Sequence, residues 1–320
     1  MQNKLPFEKK KRKILTRQKA KGTLGIKPDE RPVEQLFNYG IINIDKPAGP
    51  TSHNVSAYVQ QILGIKKAGH SGTLDPNVTG CLPVSLGNAT KVNTALISAG
   101  KEYVCVMRLH KHVELKDLKK ALKKFVGKIK QQVPHKAAVK RQVREKEIYY
   151  IDLLEVKDRE VLFIAGCQAG TYIRMLCHDI GVELKCGAHM QELRRTKAGP
   201  FNEKTLVTLN DLRDTYIMWK ESNEDKLKYE KKLKQYLLPV ETAVEHLPKM
   251  WCVDEAVKHI KHGRSLMCEH IAKLNDGIEK DSDVAVLSLK GELICLGKSN
   301  FNSIDLQKKK GPGVKPVRVF

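Results

Sequence analysis

His70-Ser71-Gly72-Thr73-Leu74-Asp75-Pro76-Asn77-Val78-Thr79-Gly80 places one carboxylate in a loop punctuated by glycine, inside a chain that is otherwise strongly basic. Gly72 and Gly80 permit turns that other residues resist, Pro76 fixes the backbone after the acid, and Thr73 and Thr79 can hydrogen-bond local amides. A carboxylate held rigidly outward is the expected result. An ordinary turn uses the same residue types, so the loop alone leaves both readings open.

Lys plus Arg number 58 against 36 Asp plus Glu, a formal charge of +22, and aromatic residues make up 6%. Such an excess reads as a polyanion binder, with nucleic acid the usual polyanion. The competing membrane reading fails, because no apolar run approaches the roughly 18 residues of a spanning helix. No charged and then apolar leader marks the chain for secretion. It is expected to be a soluble protein that stays inside the cell. The eight cysteines, Cys81, Cys105, Cys167, Cys177, Cys186, Cys252, Cys268 and Cys295, form no Cys-x-x-Cys pair and read as reduced core residues. Cys177-His178 with Cys186 and His189 is loosely metal-like, but zinc sites favour tighter pairs, and no metal is expected.

Working outward from the loop, residues 1–36 carry Lys9-Lys10-Lys11-Arg12-Lys13 and little apolar periodicity, which predicts a solvated arm or one that orders on RNA. Tyr39 to Asp45 reads as a strand, and Thr51 and Ser52 as the cap of a helix to about Leu63. After the loop come a buried strand from Cys81 to Leu86, a short helix capped by Asn88, and a strand from Tyr103 to Leu109. Leu115, Leu118, Leu122 and Phe125 fall at helical spacing. Ile148–Val156 and Val161–Cys167 read as a hairpin, Gly170-Thr171 opens a helix, and a polar helical stretch covers Asp211 to Leu238. Pro239 and Pro248 bracket a domain boundary. Beyond it, Val284–Leu289 and Glu292–Gly297 flank a tight Lys290-Gly291 turn, and the chain closes on a basic tail, Lys308 to Arg318.

Other segments supply partners for the acid. Gly170-Thr171-Tyr172-Ile173-Arg174 puts an arginine one turn into a helix beside apolar positions. A buried arginine requires an anion, and pairing with Asp75 would keep the carboxylate ionised and directed, which suits a nucleophile better than a general acid. Tyr103 can stack on an extruded base and offer its hydroxyl to a proton transfer, and His70 can wedge beside it. Arg194, Arg195, Lys140, Arg141, Arg144 and Lys146 are candidate phosphate contacts. For each, a plain packing or surface role is the competing reading.

As a set these residues resemble the TruB and dyskerin family of pseudouridine synthases, most closely its archaeal members, catalytic subunits of the box H/ACA ribonucleoprotein. The likeness runs from about Phe37 to the C-terminus. It is carried by Asp45-Lys46-Pro47-Ala48-Gly49-Pro50-Thr51-Ser52-His53, the Gly69–Gly80 loop, Lys101-Glu102-Tyr103, Ala138-Val139-Lys140-Arg141, Gly170–Gly181, and Gly187-Ala188-His189-Met190-Gln191-Glu192-Leu193-Arg194-Arg195-Thr196. The resemblance implies an α/β (α+β) catalytic domain over 37–246, built on a central antiparallel sheet and preceded by the basic extension 1–36. It also implies a small β-rich PUA domain over 247–320. Asp75 would be the nucleophile, Tyr103 would stack on the flipped base, Arg174 would pair with Asp75, and Leu193 would pack beneath the ring. His70, Lys46, Lys140, Arg141, Arg194 and Arg195 would contact RNA. No cofactor is implied, in keeping with the lack of a phosphate-cradling Gly-x-x-x-x-Gly-Lys loop.

Three positions depart from the family pattern: Asn77 stands where lysine is usual, Arg144-Glu145-Lys146 interrupts a segment usually richer in arginine, and Cys268-Glu269-His270 replaces an expected Pro-Gly turn. The implied substrates are rRNA, directed by a guide RNA, and the TΨC arm of tRNA. The implied partners are a small zinc-ribbon protein, a Gly-Arg-rich type protein and a kink-turn-binding protein, in the cytoplasm of an archaeon. The lack of thumb-like insertions favours the guided role. A scaffold that binds H/ACA RNA without catalysis is the alternative from another class, and the complete set of Asp75, Tyr103 and Arg174 argues against it.

Overall fold

The computed structural model describes residues 3–132, 142–222 and 224–320. Two sheets organise them. The larger has ten strands, running Leu238–Pro239, Gly40–Lys46, Thr79–Leu86, Ala188–Ala198, Lys101–Leu109, Glu160–Cys167, Val143–Lys157 and Gly127–Gln132, with Phe201–Asn202 and Ala68–His70 attached beside the path. Its pairs are antiparallel except at the centre, where Thr79–Leu86 and Ala188–Ala198 run parallel. These two strands lie far apart in the chain, so no hairpin dictates their direction.

The helix Ser52–Leu63 starts as its residues demand. The Thr51 side chain accepts from the Asn54 amide, and Gly64, at φ 62°, ends it in the left-handed region. In Leu115–Lys124 the residues Leu118, Ala121 and Leu122 are buried and the lysines face out, but Leu115 is exposed, because it lies in the first turn beyond the edge of the core. Asn88 caps nothing: a 3-10 turn Gly87–Val92 runs into the helix Asn93–Ser98, and Asn88 instead donates its amide to Asn38. The polar stretch after Asp211 divides into two helices, Leu209–Glu221 and Lys226–Tyr236.

The smaller sheet has seven strands, in the order Ile14–Thr16, Ile271–Asn275, Lys249–Cys252, Asp283–Leu287, Leu293–Ser299, Pro312–Val319 and Leu266–Met267. Both expected tails are therefore structural. The C-terminal basic stretch is a strand with Val314 buried, and the N-terminal arm contributes an edge strand paired with Ile271–Asn275. Neither apolar periodicity nor charge announced that arm, because it is held by scattered single anchors, one apolar and the rest polar. Leu5 is buried near the catalytic sheet, Arg12 donates to the His246 carbonyl, and Asp254 accepts from the amides of Thr23 and Leu24. Arg31, 3% exposed, forks onto Glu241 at 2.7 and 2.8 Å.

The two sheets share a core. Ile41, Val92, Leu96, Phe201 and Val240 from the larger part pack in one cluster with Ala285, Leu287, Leu293 and Leu296 from the smaller. Continuous apolar packing of this kind resists the relative motion expected of a polar domain boundary. All eight cysteines are free and buried. Cys177 and Cys186 sit in the apolar core, and among the described residues no group of three His, Cys, Asp or Glu could hold a metal ion. No described helix is long and apolar enough to cross a membrane.

Removing one partner of a buried ion pair strands the other, at about 3 kcal/mol or more. Arg31→Ala is expected to lower unfolding free energy by that order in a denaturant titration, and Arg31→Lys to recover only part of it, since an ammonium cannot fork. A loss below about 1 kcal/mol would show that the arm is not held there.

Candidate active site

The Asp75 loop leaves the sheet at His70 and rejoins it at Thr79, and its backbone is tied down at each step. Ser52, buried at the start of its helix, accepts from the Leu74 amide at 2.8 Å and donates to the Leu74 carbonyl at 3.1 Å. The Val78 amide donates back to the Asp75 carbonyl at 3.0 Å, and Gly49 donates to the carbonyl of Pro76 at 3.0 Å. Lys46 reaches the carbonyls of Pro47, Pro76 and Val78 at 2.8, 2.8 and 2.9 Å. With Leu74 and Val78 buried as anchors, the Asp75 side chain between them is left 54% exposed.

Arg174 meets that carboxylate. It lies in the first turn of the helix Ile173–Glu183, earlier than the sequence spacing predicts, after a turn in which Gly170 has φ +76°. Gln131 fixes the start of that helix by bonding both the amide and the carbonyl of Tyr172. The Arg174 guanidinium donates to Asp75 Oδ2. Arg174 is 49% exposed, not buried as its apolar neighbours implied, because it reaches out to a carboxylate that is itself 54% exposed. Exposed pairs are screened by water and salt, so this contact directs the carboxylate more than it stabilises the fold.

The other expected site residues divide. Tyr103 lies half-buried on Lys101–Leu109, opposite Arg195 of the neighbouring strand, and desolvation raises its hydroxyl pKa while the Arg195 charge opposes the rise. Leu193 is half-buried against the same core as Tyr103. His70 pairs with Val84, its Nδ1 is buried without a partner among the described residues, and burial, then Arg195 and His53, hold it below the usual histidine range. Asn77 is exposed in the turn after Pro76.

Three cations expected on RNA are committed elsewhere. Lys46 is 0% exposed, its ammonium spent on loop carbonyls. Arg195 is 1% exposed, donating to the carbonyls of Cys81 at 2.7 Å and Gly72 at 3.2 Å. Arg194 alternates to the other face and forks onto Asp45 at 2.9 and 3.1 Å, with Glu203 at 2.7 Å, so both carboxylates raise its pKa. Lys140 and Arg141 lie outside the described residues. Lys146 donates to the Ala169 carbonyl at 2.8 Å.

One buried cation was not singled out from the sequence. Lys101, 5% exposed, donates to the carbonyls of Leu96, Ile97 and Ala99, at the end of the helix Asn93–Ser98. A Cβ on Gly72 would stand 3.7 Å from Arg195 and 4.0 Å from Lys101, so both cations lie against the start of the Asp75 loop. Lys46, Lys101 and Arg195 thus find carbonyl partners rather than carboxylates, which leaves the Asp75 side chain to Arg174. The guanidinium charge of Arg195, left uncancelled by any carboxylate, favours an approaching phosphate chain.

Residues 60–173 match the N-terminal domain of the TruB family of pseudouridylate synthases and residues 174–245 the C-terminal domain of tRNA pseudouridylate synthase B. Over 99% of its length the chain is 49% identical to a probable tRNA pseudouridine synthase B of Methanosarcina barkeri, covering 93% of that protein. The chain belongs to the TruB family of pseudouridine synthases. Two further family-associated modules flank the catalytic part, a DKCLD domain matching residues 2–56 and a PUA domain matching 248–320. A probable tRNA pseudouridine synthase B of Pyrococcus horikoshii is 50% identical over 92% of this chain and 88% of its own. Among solved structures, a chain from a Cbf5-Nop10-Gar1 complex aligns with TM-score 0.93 at 46% identity, over 98% of this chain and 95% of that one. One from an H/ACA RNP bound to a substrate RNA containing 2′-deoxyuridine aligns at 0.90 and 45%, over 99% and 97%.

Because the Lys46 ammonium is out of water, Lys46→Met is expected to cut turnover roughly tenfold or more by loosening the loop, while RNA affinity and its salt slope stay unchanged. A fall of about one in that slope would instead place Lys46 on a phosphate. Burial first, then the Arg195 charge, push Lys101 down to about 7 from the usual 10.5. An unfolded chain keeps that proton until the usual lysine range, so between these values the unfolded state binds more protons and stability rises with pH. Lys101→Met is expected to flatten the rise in thermal melts taken from pH 7 to about 10.

Proposed function

We propose that this protein isomerises uridine to pseudouridine at Asp75, in rRNA under the direction of an H/ACA guide RNA and in the TΨC arm of tRNA. The observation that carries the reading is the exposed Asp75 carboxylate, in contact with Arg174 on a loop whose flanking carbonyls are held by a buried lysine. In the reaction the bond from ribose C1′ to N1 of the base breaks, the freed uracil turns in place, and C1′ is joined to C5. The C5 proton leaves and N1 takes one up, so substrate and product are isomers. Asp75 acts as the nucleophile that assists the first step, and Arg174 keeps it aimed. Tyr103 stacks on the extruded base and takes part in removing the C5 proton, Leu193 packs beneath the ring, and His70 stands beside the displaced base.

The segments divide the work: 37–246 carries catalysis, 247–320 grips RNA, and 1–36 joins the two. A guided role is supported by the likeness to chains in a Cbf5-Nop10-Gar1 complex and in an H/ACA RNP with substrate RNA. The expected partners are therefore counterparts of those small proteins, with a kink-turn-binding protein and the guide. The names of the curated relatives support tRNA as a second substrate. The site of action is the cytoplasm. A non-catalytic scaffold would have no use for a directed Asp75.

The purified chain, with and without guide and partners, is to be incubated with unmodified tRNA and rRNA and pseudouridine mapped in each. Asp75→Asn is expected to give no product with RNA affinity nearly unchanged, and wild-type turnover by that variant would refute the assignment. Arg174→Ala should lose activity through a misdirected Asp75; unchanged kinetics would show that the pair plays no part. Affinity should fall steeply with salt through counterion release, and a flat response would contradict a large phosphate footprint.

A further inference from the structure

Strands Lys101–Leu109 and Ala188–Ala198 fall out of step by one residue beside the site. Glu102 pairs with Lys197, yet Tyr103 pairs with Arg195, so Thr196 is the extra residue of a β-bulge. Residues paired across a ladder share a face and successive residues alternate. Without the bulge Tyr103 would stand opposite Thr196, and Arg195 would be turned to the other face of the sheet with Glu102. With it, Arg195 shares the face of Tyr103 and reaches the carbonyls of Gly72 and Cys81, which flank the Asp75 loop.

What holds the bulge lies on the opposite face. The Glu102 carboxylate, buried within the sheet, accepts the Thr196 hydroxyl at 2.9 Å and lies 3.3 Å from the Lys197 ammonium, so it grips both residues of the bulge. It also accepts the Tyr150 hydroxyl. Burial, then the bond to Glu102, keep that hydroxyl well above the usual tyrosine range, so it remains a donor. The Tyr150 ring lies over Gly166, where a Cβ would come within 2.3 Å of it, so only glycine leaves room for this reach. Lys197 continues outward to Glu8 of the short helix Pro6–Lys9, at 3.2 Å.

We propose that Glu102 and Thr196 are positioning residues of the isomerase, locking the bulge that turns Arg195 onto the face of Tyr103 and toward the Asp75 loop. Neither side chain lies on the substrate face; both act through the strand that carries Arg195. This rests on reading Asp75 as the nucleophile and adds the element that sets its surroundings.

Thr196→Val keeps the shape of the side chain and removes the hydroxyl, and Thr196→Ser restores it. In the full chain, assayed with guide, partners and a uridine-containing RNA, Thr196→Val is expected to lower kcat about tenfold with KM within about twofold. Thr196→Ser is expected to recover most of the rate. Wild-type kcat in Thr196→Val would overturn the proposal, as would a loss that Thr196→Ser does not recover. Should Thr196→Val fail to fold, Lys197→Met removes the second hold on Glu102 from the rim of the network; the same fall in kcat is expected, and an unchanged kcat overturns the proposal. Asp75→Asn in the same assay separates the two levels. If it is dead while Thr196→Val is normal, the lock is wrong and the nucleophile stands; if it is active, the underlying reading falls.

Discussion

The site depends on a cation taken out of water. The Lys46 ammonium is enclosed, and it meets three carbonyls, of Pro47, Pro76 and Val78. Burying an ammonium costs several kcal/mol unless its donors are satisfied, so each of those carbonyls must stay in place for the fold to tolerate the charge. Two of them bracket Asn77, just past the acid. The energetic penalty for moving the loop is therefore the penalty for stranding a buried charge, and that makes Asp75 rigid although it is itself exposed to solvent.

The same device recurs on either side. Arg195 holds the carbonyls at the two ends of the loop, and Lys101 caps the end of a helix against Gly72. Carbonyl dipoles satisfy hydrogen bonds without cancelling charge, so the charges of Lys46 and Arg195 beneath the loop are kept. An arrangement built on carboxylate partners would have held the backbone as well but given a neutral floor. The acids that are near, Asp45, Glu203 and Glu102, are bound to Arg194, Thr196, Tyr150 and Lys197. The N-terminal arm adds to the same economy of anchors. It is bonded to the catalytic sheet through Glu8 and to the smaller sheet through its own strand, and the two sheets already share an apolar cluster.

Much of the fold was legible because local chemistry and tertiary context agree. The Thr51 cap, the amphipathic Leu115–Lys124 helix and the hairpins around Asp158 and Gly291 stand where turn residues and apolar spacing put them. The Asp75 loop and its arginine were legible as a pair once the motifs were seen together. The N-terminal strand was not, since Ile14–Thr16 borrows its partner from residues some way along the chain and buries little of its own surface. Lys46 and Arg195 were misplaced for a similar reason. Lysine and arginine sit at the surface by default, and nothing in their neighbours says that a ring of carbonyls awaits them.

The sequence by itself determined which residues turn, which alternate, and which acid stands alone among cations, because glycine, proline and apolar periodicity act over a few residues. Arg194 and Arg195 had to face opposite ways on a strand, and that too follows from the pleat. Which of the two goes inward was decided only by tertiary structure. It turns on a one-residue bulge at Thr196 and on carbonyls brought from Gly72 and Cys81, and such a register is set by distant strands meeting, not by any local preference.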